Sequence, residues 1–221
     1  MQKFTTTAPI SAFVTIPAGR VQFIAADRAD TAVEVRPADA SKARDVKIAE
    51  QTTVSFADGV LRIEATAKNQ MLGASGSVEV TVQLPADSRV SASAASADFR
   101  GVGRLGEVSF EGSHGTIKVD EAAGVRLSTQ AGDVSVGRLN GPASITTGKG
   151  NIDIAEAVRG SVVLRTSAGD VSVGAAPGVS ASLDAGTSYG RVRNSLQNAG
   201  GLADLTIDAT TEYGDINARS L

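Results

Sequence analysis

The sequence predicts an all-β protein: a parallel β-solenoid, or β-helix, of about seven coils preceded by a strand-rich N-terminal segment. Three observations lead there. Six times in the second half a glycine is followed two residues later by a β-branched residue: Gly115/Ile117, Gly132/Val134, Gly150/Ile152, Gly169/Val171, Gly190/Val192 and Gly214/Ile216. The steps between these glycines are 17, 18, 19, 21 and 24 residues, too short for a propeller blade and suited to one coil of a stacked solenoid. Alternation with a period of two runs through nearly the whole chain, whereas helical periodicity is scarce. Finally, only 4% of the residues are aromatic while 24 are glycine, a composition for a thin core of short rows.

Residues 1–87 are expected to form strands that cap the solenoid. Alternating apolar positions mark 14–16, 21–24, 33–35, 54–56, 60–63 and 78–84. Asp58-Gly59 between Phe56 and Val60 is a hairpin signal, which makes part of this segment antiparallel. Residues 38–45 read as a short helix or a loop, and 67–77 fit no element, with the Gly73 to Gly76 stretch expected to be mobile.

Residues 88–221 carry the repeats, either as a second domain or as one continuous domain with the first segment. Val90, Ala92, Ala94, Ala97 and Phe99 fit the frame one period before Gly115. Counting back from each glycine, position −7 holds Val108, Val125, Ala143, Val162, Leu183 and Ile207, and position −5 holds Phe110, Leu127, Ile145, Leu164, Ala185 and Ala209. Alternate residues of a strand face opposite sides, so −7, −5 and +2 line the interior and each coil reads strand, turn, strand, turn. Right-handed winding follows from the usual crossover preference.

The formal charge of −3 is spread evenly: residues 1–88 carry nine basic and ten acidic groups, and 89–221 carry twelve and fourteen. No basic face is implied, so nucleic acid is excluded as an expected partner. Cysteine is absent, which removes disulfides and thiolate metal sites. The first residues show no apolar stretch of leader length and no segment is long enough to span a bilayer. A cytoplasmic protein is expected as written, and a cell-envelope protein if a leader has been removed.

Position +1 collects Asp133, Asn151, Asp170 and Asp215 at one corner. Asp133 and Asp170, two coils apart, would lie about 9.6 Å from one another, near the carboxylate spacing of inverting glycoside hydrolases. Turn aspartates also hydrogen-bond local backbone, which accounts for the row without chemistry. A calcium site would need six to eight converging oxygens, and no calcium-binding loop motif occurs. Thr129, Thr147, Thr166, Thr187 and Thr211 share position −3 and fall on the inner side, as a structural ladder rather than an outward ice-binding array. His114, the one histidine, reads as a solvated turn residue. No catalytic residue, metal ligand or cofactor-binding residue is assigned. Tyr189 and Tyr213 share position −1, with Arg191 and Arg193 beside the first, and these four form the candidate interaction patch because tyrosine and arginine concentrate at binding hot spots.

Several motifs resemble those of the bacterial putative-adhesin family of β-strand-repeat proteins. They are the Leu-Pro-x-Asp-Ser step from Leu84 to Ser88, a partial match at Ser96 to Phe99, and the Thr-x-Ala-Gly-Asp-Val units at 129–134 and 166–171. The resemblance covers residues 10–217 and implies a β-solenoid-type fold of largely unknown role, named for similarity to surface proteins. Many members carry an export signal or membrane segment, neither of which is visible here. The expected function is therefore a non-enzymatic interaction or scaffold module, binding a protein partner or a second copy through the C-terminal coil. The alternatives are a carbohydrate-active hydrolase or lyase using the turn aspartates, and an end-to-end filament.

Overall fold

The structure, a computed structural model, describes residues 1–65, 76–198, 200 and 202–221. The expected mobile stretch lies mostly outside them. The chain is all-β and divides into two compact units, Met1–Gly115 and Thr116–Leu221.

The first unit is built around two long strands, β2 (Ser11–Ala26) and β7 (Arg89–His114), which run parallel and in register from Ser11/Arg89 to Ile24/Val102. On the other side of β2 lie β5 (Val60–Glu64) and β6 (Val78–Pro85), also parallel to it. The outer strands are antiparallel, as the hairpin signal required. Asp58 (φ 51°) and Gly59 (φ 74°) close the turn between β4 (Thr53–Ala57) and β5, and both positive angles are those of a type I′ hairpin. On the second wall β6 is followed by β3 (Asp30–Pro37), and β3 by β1 (Gln2–Thr5).

The helix signal resolves further along the chain than residues 38–45, as α1 (Ala43–Gln51). It buries Ile48, and its buried Asp45 accepts the backbone N–H of Ser77 at 3.0 Å. Aromatic rings thread this unit: Phe99 contacts Phe23 and Phe110 at centroid distances of 5.8 and 5.2 Å. The Leu84 to Ser88 step has a structural cause. Asp87 takes φ 63°, and fully buried Ser88 donates its hydroxyl to Pro85 O (2.7 Å) while accepting Ile10 N–H (3.0 Å).

The second unit is a two-walled parallel stack. One wall comprises the C-terminal half of β8 (Ile117–Ala131), β10 (Ala143–Lys149), β12 (Gly160–Ala168), β16 (Leu205–Tyr213) and β14 (Ala181–Tyr189), in that spatial order. The other comprises the N-terminal half of β8, β9 (Val134–Leu139), β11 (Ile152–Ala157), β13 (Val171–Ala175), β17 (Ile216–Ser220) and β15 (Val192–Ser195). Interior rows match the alternation: Ile117, Val134, Ile152, Val171 and Ile216 are buried at +2, as are Leu127, Ile145, Leu164 and Ala209 at −5.

The order departs from the sequential stack expected of a solenoid. The chain places β14 and β15 one position too far out, crosses back, and inserts β16 and β17 into the gap. The coil of β14 and β15 (181–195) is therefore outermost, and the C-terminal coil is internal. The register keeps equivalent residues aligned, Leu183 with Ile207 with Val162, so the insertion costs the core nothing in periodicity.

Candidate functional site

The corner glycines set the site. Gly132, Gly150, Gly169 and Gly214 have φ between 145° and 155°, a region side chains disfavour. A Cβ on Gly169 would also stand 2.0 Å from the Gly150 carbonyl oxygen, and one on Gly214 equally close to the Gly169 oxygen. Backbones therefore stack at this corner with no room for a side chain.

Two side-chain ladders lock it. Inside, buried Thr147, Thr166 and Thr211 donate their hydroxyls to Gly132 O (3.2 Å), Gly150 O (3.0 Å) and Gly169 O (3.0 Å). Thr187, half-buried in the outermost coil, donates to Gly214 O at 3.0 Å. Outside, each +1 carboxylate or amide accepts the N–H of the next +1 residue. Asn151 N–H donates to Asp133 Oδ1 (2.7 Å), Asp170 N–H to Asn151 Oδ1 (2.8 Å), Asp215 N–H to Asp170 Oδ1 (2.7 Å) and Arg191 N–H to Asp215 Oδ1 (2.9 Å). The row considered for hydrolysis or calcium binding thus spends one oxygen of each side chain on stacking. Asn151 does the same work as its aspartate neighbours, so this work needs an oxygen and no charge.

Both ladders end at the outermost coil, and that end holds all four residues of the expected patch. Tyr189 and Tyr213 stack face to face, centroids 4.9 Å apart and planes 3° from parallel, and remain 67% and 56% exposed. Parallel register through the Tyr189/Tyr213 pair dictates this. Arg193 lies on the exposed outermost strand β15 and Arg191 immediately before it, and no ion-pair partner meets either among the described residues. Val192, the last of the +2 row, is 44% exposed where its five counterparts are buried. His114 is exposed at the end of β7, consistent with a turn residue.

Sequence reasoning missed a cleft of about 520 Å³ in the first unit, lined by residues including Asp27, Arg28, Asp87 and Arg104. Arg104 grips Asp87 through two hydrogen bonds (2.8 and 2.9 Å) and holds its carboxyl below the usual aspartate range; Arg28 binds Asp30 at 2.8 Å and also Gln83. Neither pairing has a repeat to mark it: Arg104 on β7 meets Asp87 in the turn before that strand, and Arg28 meets Asp30 at the start of β3. Among the described residues no cluster of three or more metal-ligating side chains occurs, and no helix is long and apolar enough to cross a membrane.

Among solved structures the chain is similar to a putative adhesin from Bacteroides fragilis, at 9% identity and TM-score 0.50, covering 98% of this chain and 95% of that one. A putative adhesin from Parabacteroides distasonis matches at 12% identity and TM-score 0.48, covering 98% and 95%. A putative cell adhesion protein from Clostridium sporogenes matches at 9% identity and TM-score 0.38, covering 100% and 99%. No curated protein matches. The family model for Toastrack DUF4097 matches residues 14–220, nearly the whole of both units. The chain belongs to the Toastrack DUF4097 family.

Proposed function

We propose that the protein is a non-enzymatic, adhesin-like interaction module whose docking surface is the outer end of the second unit, with Tyr189, Arg191, Arg193 and Tyr213 as its anchors. The observation that carries this reading is the exposed, parallel Tyr189/Tyr213 stack beside two arginines that meet no acidic partner among the described residues. Two preorganised aromatic faces lose little conformational entropy on binding, and tyrosine with arginine is the usual make-up of a binding hot spot. The adhesin name of the Bacteroides fragilis protein is in keeping with this class of function. The partner is a protein, reached at the cell envelope.

The test is quantitative capture from envelope and cytoplasmic fractions of native cells, with wild type and a Tyr189→Ala/Tyr213→Ala variant. A partner recovered with wild type and lost with the variant is the expected result. Equal recovery by both, or hydrolysis of a polysaccharide that disappears in an Asp133→Asn/Asp170→Asn variant, overturns the proposal.

A further inference from the structure

The outermost coil is unfinished in a way that specifies what would complete it. Down the stack, each inner coil donates its N–H groups at the glycine and at +2 to carbonyls of the next coil out. Gly169 N–H bonds Tyr213 O (2.9 Å) and Val171 N–H bonds Asp215 O (2.9 Å); one step further, Gly214 N–H bonds Tyr189 O (3.0 Å) and Ile216 N–H bonds Arg191 O (2.9 Å). By the same alternation Gly190 and Val192 direct their N–H groups outward, where no acceptor meets them among the described residues. β15 pairs with β17 alone, and Val192 leaves the +2 apolar row open. The near end of β14 is different, because Ala181 N–H is taken by Gln197 O at 3.0 Å as the chain crosses back. The returning chain therefore covers the start of β14, and the open edge runs from there through Tyr189 to Ser195.

We infer that this edge accepts one more parallel strand from a partner protein, an extended acidic segment with apolar residues at alternate positions. This rests on the reading of the outer end as a docking surface and adds the mode and chemistry of the partner. Charge selects the occupant. From Asp133 outward every inner +1 position is Asp or Asn, but the last is Arg191, and +3 of the same coil is Arg193. Two copies meeting edge to edge would bring four arginines together, and like charges on paired strands are destabilising. An acidic strand instead meets two cations that have no ion-pair partner among the described residues, buries Val192 under its own apolar residue, and supplies carbonyls for Gly190 and Val192.

The chain contains a segment of the required pattern in β11 and the turn before it, residues 150–157. It has Ile152 and Ile154 on the inward side and Asp153 where Arg193 would face it; Glu156 adds a second acid. A capped peptide of this sequence, fluorescently labelled, is the probe. Binding to wild-type protein is expected, weakened about tenfold by Arg191→Glu/Arg193→Glu, and restored on that variant by a peptide with lysine for Asp153 and Glu156. N-methylation at Asp153, whose N–H would face β15, abolishes binding, whereas N-methylation at Ile152, whose N–H would face away, is tolerated.

Equal binding of acidic and lysine peptides to wild type, no binding at millimolar concentration, or indifference to the Asp153 methyl group overturns the inference. So does self-association of wild type that the arginine variant changes, which would make a second copy the occupant. Restored binding on the arginine variant shows that it is folded. Failure here with tyrosine-dependent capture intact removes the strand-docking mode and leaves the docking surface. Loss of tyrosine-dependent capture with peptide binding intact does the reverse.

Discussion

Replacing Asp170 separates a stacking role from a chemical one. Its Oδ1 accepts Asp215 N–H at 2.7 Å, while its own N–H is held by Asn151 Oδ1 at 2.8 Å. Asp170→Ala removes the first bond and leaves the second. A hydrogen bond to an ionised acceptor contributes about 1.5–3 kcal/mol when sheltered. Asp170 is exposed, so water can take over part of the freed donor's bonding, and the expected loss falls to about 1 kcal/mol. In a chain of this length that lowers Tm by about 2–4 °C. Asp170→Asn keeps an acceptor oxygen at the same place, as Asn151 does one coil inward, and relieves repulsion from Asp215. Its Tm should stay within about 1 °C of wild type. Scanning calorimetry reads both. The reasoning is refuted if the alanine variant melts with wild type, because then the bond contributes nothing. It is equally refuted if the asparagine variant is as unstable as the alanine one, because the charge and not the acceptor would then matter.

Gly169→Ala should cost more than Asp170→Ala, over about 2 kcal/mol in urea denaturation, since it combines φ 155° with a Cβ 2.0 Å from the Gly150 carbonyl oxygen. Deleting residues 204–221 should make residues 181–195 protease-sensitive, because that coil pairs only with β16 and β17; a chain-order stack would leave them protected on the preceding coil. Hydrogen bonds from the Ser41 hydroxyl and N–H hold the Asp39 carboxyl at about 2, below its ordinary 3.8. A lowered carboxyl pKa contributes stability above the unfolded value and loses it as the pH falls from about 4 towards 2. In an NMR titration Ser41→Ala should move the Asp39 midpoint upward, and an unchanged midpoint counts against the assignment of cause.

The rows were legible in the sequence because each depends on local periodicity. A +2 β-branched residue follows all six corner glycines, a −3 threonine precedes five of them and a +1 Asp or Asn follows four, and each row proved to have one physical job. The hairpin at Asp58-Gly59 was legible for a similar reason: two adjacent positive φ values need those residue types. The helix boundary was not, since α1 is fixed by tertiary contacts: Ile48 in the core and Asp45 on Ser77 N–H. The Arg104/Asp87 pair joins β7 to the turn before it, 17 residues apart, with no repeat to mark it.

Stack order was the largest thing the repeat concealed, and the reason is general to repeats. Equivalent coils present nearly identical rows to their neighbours, so Ile207 fits against Val162 or Leu183 equally well and the periodic residues cannot say which coil is next. The information sits in the residue that breaks a row. Arg191 stands where Asp, Asn, Asp and Asp stand before and after it in the chain, and a side chain without an acceptor cannot pass the ladder on to a further coil. The Asp215 carboxylate can serve Arg191 N–H; Arg191 can offer no oxygen to Asp215 N–H. The observed order, with the C-terminal coil inside and Arg191 last, gives every N–H from Asn151 to Arg191 an acceptor, and the chain order would not. A substituted repeat position thus fixes which coil ends the stack, and by ending it with two cations and an exposed valine it leaves an edge that favours an acidic strand over a second copy of itself.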